Sequence, residues 1–186
     1  MKWVYYTLVG TSPLAVQNSL VWFLKRSADV EIEEVQFICS RDDPATNTRG
    51  TRTLIPEIIE GIKEQLKALN LGHRIRFGAE KIIEIEEADL PQSSEIIGKH
   101  LLTNPEQARI ILDCTAGRKT MTGAALIAGL YIKNKFKRDI VFVYYWLLTY
   151  NQEFLRKKAI ELGDDQAEMK IFDANKIEDA LERIGS

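Results

Sequence analysis

Two short stretches of this chain carry residue types that recognise anions. The longer is Asp113-Cys114-Thr115-Ala116-Gly117-Arg118-Lys119-Thr120-Met121. Gly117 frees the backbone for close approach, Thr115 and Thr120 supply hydroxyls, and Arg118 and Lys119 bring fixed positive charge to the expected start of a helix. Cations are unfavourable there, because the helix dipole already makes that end positive. Two in succession make sense if an anion sits between them and the free backbone amides. The shorter stretch is Gly10-Thr11-Ser12-Pro13. It offers a glycine for a tight turn, two hydroxyl residues able to cap a helix, and a proline suited to the first helical position. On its own the tetrapeptide also reads as ordinary strand-to-helix punctuation.

Spacing excludes two common phosphate motifs. Gly117-Arg118-Lys119-Thr120 has an extra residue between Gly and Lys for a P-loop and lacks the earlier glycine. Gly10 is not followed by the paired glycines of a dinucleotide fingerprint. Arg49 and Arg52 flank a polar loop, with Arg41 at its other end, and either cover a ligand or are solvated. Tyr144, Tyr145 and Trp146 end an apolar run, where they either stack on bases or fill the core. Lys157 and Lys158 form a further basic pair, equally explained as a charged surface. Cys39, Cys114, His73 and His100 show neither disulfide nor zinc spacing, so neither a metal site nor a cofactor is expected.

The elements that must position these loops alternate. Strands are expected at 2–9, 35–39, 81–86, 109–113, 140–146 and 170–172, and helices at 13–26, 54–69, 93–102, 119–136, 152–162 and 175–184. Gly72 is read as the end of the second helix. Strands that alternate with helices pair in parallel, and right-handed crossovers then place helices on both faces of the sheet. The expectation is a three-layer α/β Rossmann-like fold in one domain, with a core over about 1–146 and an α/β extension over about 147–186. Ligands then bind beyond the carboxyl ends of the strands, where strand order reverses. Val16, Leu20, Phe23 and Leu24 are read mainly as core, and Trp22 as the better interface candidate.

With 186 residues, 45% of them hydrophobic and 28% charged, the chain suits one soluble core. Its 25 Lys and Arg against 27 Asp and Glu give a net charge of −2, which argues against general DNA or RNA binding. The apolar start, residues 3–10, is short and lacks a clear cleavage site, so it reads as a strand rather than a signal peptide. No apolar run is long enough to span a membrane. A cytoplasmic protein is expected.

The longer motif resembles the Asp-x-Ser/Thr-Gly-Gly-x-Lys-x-Met motif of CRISPR-associated Rossmann-fold domains, with Ala116 where glycine is common. Leu8-Val9-Gly10-Thr11-Ser12-Pro13 is similar to the loop after the first strand in the same superfamily. The resemblance implies a cyclic oligoadenylate ligand bound across a homodimer. It implies ligand contacts from Gly10, Thr11, Ser12, Pro13, Asp113, Thr115, Ala116, Gly117, Arg118, Lys119, Thr120 and Met121, with Arg49 and Arg52 as further candidates. About forty residues follow the core, with no recognisable effector unit. The chain therefore looks like the stand-alone ring nucleases, which cleave cyclic tetra-adenylate and end type III CRISPR antiviral signalling. The expected reaction needs no metal: a ribose 2′-OH attacks the adjacent phosphorus and leaves a 2′,3′-cyclic phosphate. Lys119 and Arg118 would stabilise charge and Ser12 would orient the phosphate or 2′-OH. Two alternatives stay open: a sensor that binds without cutting, and a Rossmann-like enzyme using a mononucleotide or dinucleotide.

Overall fold

The computed structural model describes residues 3–44, 49–77, 81–148 and 151–173. Six strands form its sheet: β1 Trp3–Val9, β2 Ile32–Ser40, β3 Lys81–Ile85, β4 Arg109–Asp113, β5 Ile140–Leu147 and β6 Ala167–Asp173. Their spatial order is β3-β2-β1-β4-β5-β6. All neighbours pair in parallel except β5 and β6, which are antiparallel. The helices are α1 Pro13–Arg26, α2 Ile55–Ala68, α3 Leu90–Leu102 and α4 Lys119–Phe136. This is the expected α/β architecture of a mainly parallel sheet with helices on both faces.

Side-chain alternation along β1 divides the core. Tyr5 and Val9 point into one apolar cluster with Leu20 of α1 and Ile58 of α2. Val4, Tyr6 and Leu8 point into the other, with Ile97 of α3 and Met121 of α4. Period-two strands thus feed two helical layers, and each layer's helices pack on one another. Strand order reverses between β1 and β4. The loops leaving those two strands enter α1 and α4, so both motifs lie at the switch point.

Four sequence expectations change. Residues 152–162 form not a helix but two 3₁₀ turns, Phe154–Arg156 and Ala159–Glu161. Asn18 of α1 holds this segment: its Nδ2 donates to the Lys157 carbonyl at 2.9 Å and its Oδ1 accepts from the Ala159 amide at 2.8 Å. Trp22 is fully buried, with its ring edge against Tyr145 at 5.9 Å between centroids, and offers no interface surface. The turn that ends α2 is made by Asn70, at φ 57°, with the Leu71 amide donating to the Leu66 carbonyl at 2.8 Å. Gly72 instead opens the 3₁₀ turn Gly72–Arg74. The last strand is longer than expected, Ala167–Asp173, and the helix expected at 175–184 lies outside the described residues. No helix among the described residues is long and apolar enough to cross a membrane.

Candidate functional site

The two motif loops touch. A Cβ on Gly10 would lie 1.7 Å from the Ala116 carbonyl oxygen, so only glycine lets the first loop seat against the second. A Cβ on Gly117 would lie 2.5 Å from Leu8 Cδ1 and 2.8 Å from Thr122 Oγ1, so the second loop packs closely over β1, against side chains rather than backbone. Ala116 keeps a negative φ, which alanine adopts without strain. The result is a shared floor from which α1 and α4 both start. Helix N-termini present unsatisfied backbone N–H groups, and two side by side form an anion-binding surface. Ser12 is the N-cap of α1, its Oγ accepting from the Ala15 amide at 3.4 Å, and Pro13 follows at the first helical position.

Asp113 anchors this floor from below. Its carboxylate is fully buried. Oδ2 accepts from the Tyr5 hydroxyl and from Thr7 Oγ1, both at 3.1 Å. Oδ1 accepts from the Thr115 amide at 2.9 Å and from Thr115 Oγ1 at 2.6 Å. Because that hydroxyl spends its one proton on Asp113, Ser19 must donate to Thr115 Oγ1 across their 2.9 Å contact. Thr115 Oγ1 also accepts from the Tyr145 amide at 2.9 Å. One carboxylate thereby ties β1, β4, α1 and β5 together beneath the loop. Burial raises its pKa above the ordinary value, with the hydrogen bonds from Thr115 and Tyr5 opposing. Asp113, expected from the sequence to contact a ligand, lies beneath the loop with no exposed surface. Met121 is likewise fully buried, as part of the core under α4. Gly10 is buried as well, and its part is the fit against Ala116.

Arg118 and Lys119, adjacent in sequence, do different things. Lys119 is exposed at the first position of α4, and among the described residues it has no hydrogen-bond or ion-pair partner. Arg118 is half-buried and turned toward Glu87 in the segment after β3, with which it forms an ion pair. Its other terminal nitrogen donates to the Arg49 carbonyl at 3.3 Å. The structure brings Arg49 to the site through its backbone, while its side chain is exposed. Arg52 is committed elsewhere: with Arg41 it pairs with Glu84 of β3. Lys157 and Lys158 pair with Glu153 and Glu64, both at 2.8 Å. Thr11 and Ser12 are exposed, whereas Thr115, Ala116, Gly117 and Thr120 are half-buried around the floor.

Two cavities flank the floor. The one on the β3 side, about 490 Å³, is lined by Arg118 and Thr120 but also by Asp42, Asp43, Glu86 and Glu87. Sequence reasoning missed Glu87, whose partner lies 31 positions away. The other cavity, about 570 Å³, lies between the start of α1 and the end of β5 and is lined by Ser12, Thr115, Tyr144, Tyr145, Trp146 and Leu155 among others. The Tyr145 hydroxyl is buried without a hydrogen bond. Burial pushes its pKa up to about 12, with Asn18 opposing. Among the described residues no group of three or more His, Cys, Asp or Glu is placed to hold a metal ion.

No family model matches the sequence, and no curated protein does. Among solved structures the chain is similar to Csm6 of Enterococcus italicus bound to cyclic hexa-2′-fluoro-hexa-dAMP. The TM-score is 0.59 and the sequences are 12% identical, with the likeness covering 100% of this chain and 44% of that one. At this identity the likeness shows a shared fold, and this chain spans under half of that protein.

Proposed function

We propose that the chain is a CRISPR-associated Rossmann-fold domain that binds a cyclic oligoadenylate on the floor formed by the β1–α1 and β4–α4 loops. The observation that carries this reading is the contact of Gly10 with Ala116, which sets two helix N-termini side by side with Lys119 exposed and unpaired beside them. Such a surface fits a ring of phosphodiesters, since backbone amides supply donors and the lysine supplies charge. The fold shared with Csm6, whose solved structure holds a cyclic adenine oligonucleotide, supports the ligand class. A two-fold homodimer would offer each loop twice to a ring of matching symmetry.

In its fuller form the reading is a ring nuclease acting on cyclic tetra-adenylate. The ribose 2′-OH gives up its proton to water as its oxygen attacks the adjacent phosphorus, the bond from phosphorus to the 5′-oxygen breaks, and the 5′-oxygen takes up a proton from water. The products end in a 2′,3′-cyclic phosphate and a 5′-hydroxyl. Lys119 would stabilise the charge that develops on the phosphoryl oxygens, and Ser12 would help align the 2′-OH. Arg118 joins them only on leaving Glu87.

That ion pair favours a second reading, in which the domain binds the ring without cutting it and signals through a partner. Incubating excess protein with cyclic tetra-adenylate, with and without a chelator, and resolving the products by chromatography decides between them. The nuclease reading expects linear products carrying a 2′,3′-cyclic phosphate at a rate the chelator leaves unchanged. Intact ring after prolonged incubation rejects cleavage, and loss of cleavage with chelator rejects the metal-free route.

A further inference from the structure

We propose that the outer edge of β6 pairs with the same edge of a second copy of this chain, antiparallel and centred on Met169. This contact lies apart from the loop floor and does not depend on the ligand reading. β6 closes one side of the sheet, two strands beyond β4, and no described residue pairs with its outer edge. Its seven residues therefore turn a row of backbone N–H and C=O groups toward solvent, a template for another strand. Edge strands that stay single are blunted by a bulge, a proline or charges that repel a partner. β6 pairs with β5 without a bulge, carries no proline, and its two central charges are opposite in sign.

The order of side chains along the strand selects this chain as the partner. Register with β5 places Glu168 beside Trp146 and Lys170 beside Tyr144 on one face of the sheet. Ala167, Met169 and Ile171 belong to the other face. Around a two-fold axis through Met169, Glu168 comes opposite Lys170 of the second copy, and Lys170 opposite its Glu168. On the other face Met169 meets its own mate, and Ala167 meets Ile171. Moving the axis one residue either way sets lysine against lysine or glutamate against glutamate, so charge fixes the register. The ion pair that Lys170 Nζ makes with Glu168 at 2.5 Å within the chain is exchanged for pairs across the axis. Ile171 is 58% exposed and Phe172 46% exposed, so the strand also carries large apolar side chains for a partner to cover.

Sedimentation velocity on the ligand-free chain, over a range of concentrations, compares wild type with Glu168→Lys, Lys170→Glu and the double exchange Glu168→Lys/Lys170→Glu. Circular dichroism checks that each protein is folded. Either single reversal puts like charges opposite one another on both sides of the axis and is expected to weaken association about tenfold or more. The double exchange restores opposite charges and is expected to associate within about threefold of wild type. Mild oxidation reads the register: Met169→Cys should form an intermolecular disulfide and Ile171→Cys should not. A monomeric wild type, equal association in all four proteins, or a double exchange as weak as the single reversals overturns the proposal. A disulfide through Ile171→Cys in place of Met169→Cys overturns it as well.

Discussion

Lys119 and Arg118 show how one residue's partners decide what a motif can do. The sequence presents them as an equivalent cationic pair at a helix start, and the unfavourable dipole makes an anion the natural explanation. Geometry separates them, because Glu87 already supplies the negative charge for Arg118. That contact arises from the fold and has no local signature. Glu87→Gln is expected to raise affinity for a cyclic oligoadenylate a few-fold by freeing Arg118, in line with the roughly 0–1 kcal/mol of a partly exposed ion pair. Calorimetry checks this; weaker binding would mean that Glu87 holds Arg118 in its working position. Asp113 gives a pH prediction. Its folded-state pKa is raised above 3.8 by burial, so the stability it contributes is full below 3.8 and is lost as pH rises through the folded value. Asp113→Asn cannot ionise and retains hydrogen-bonding capacity, so wild type should lose ground to it in urea unfolding as pH rises through that window. A constant gap would contradict the buried, raised carboxylate.

At the scale of elements, the close contact between the two loops sets a sharp expectation. Gly10→Ala must push the Ala116 carbonyl away, and overpacking of this kind costs about 1–3 kcal/mol. Thermal unfolding should show that loss together with weakened ligand binding. Gly72→Ala, whose Cβ meets nothing within 4 Å, should be neutral or slightly stabilising. Equal effects would contradict the loop contact. The strands and helices around these loops were legible because their apolar spacing is strong: Ile55, Ile58, Ile59, Ile62 and Leu66 all face the core from α2. Residues 152–162 were not: Leu155, Ala159 and Leu162 have the i, i+4, i+7 spacing of one helical stripe, yet the segment forms two 3₁₀ turns. Ala159 and Leu162 are buried in the core, while Leu155 stays exposed at the β5-side cavity. Asn18 captures their backbone across 139 positions, a tertiary contact that helix propensity cannot report. Trp22, read from the sequence as the better interface candidate, is enclosed by Tyr145 and the α1 layer, a tertiary burial with no local signature.

For the molecule as a whole, the order β3-β2-β1-β4-β5-β6 explains why loops about a hundred residues apart in sequence touch. The reversal between β1 and β4 brings the two motifs together at the carboxyl edge of the sheet. Alternation of strands and helices made that placement readable in advance, whereas the antiparallel sense of β6 depends on tertiary pairing. The difference between the two flanks was also invisible in sequence: among the described residues one cavity is lined by four carboxylates and two arginines, the other by uncharged side chains. Calorimetric titration of cyclic tetra-adenylate and cyclic hexa-adenylate into wild type and Lys119→Ala tests the central claim most directly. The expected result is that wild type binds a ring at one per two chains and that Lys119→Ala binds it at least about tenfold more weakly, the loss of a charge-assisted contact. Absence of binding to wild type, or undiminished binding in Lys119→Ala, would contradict it.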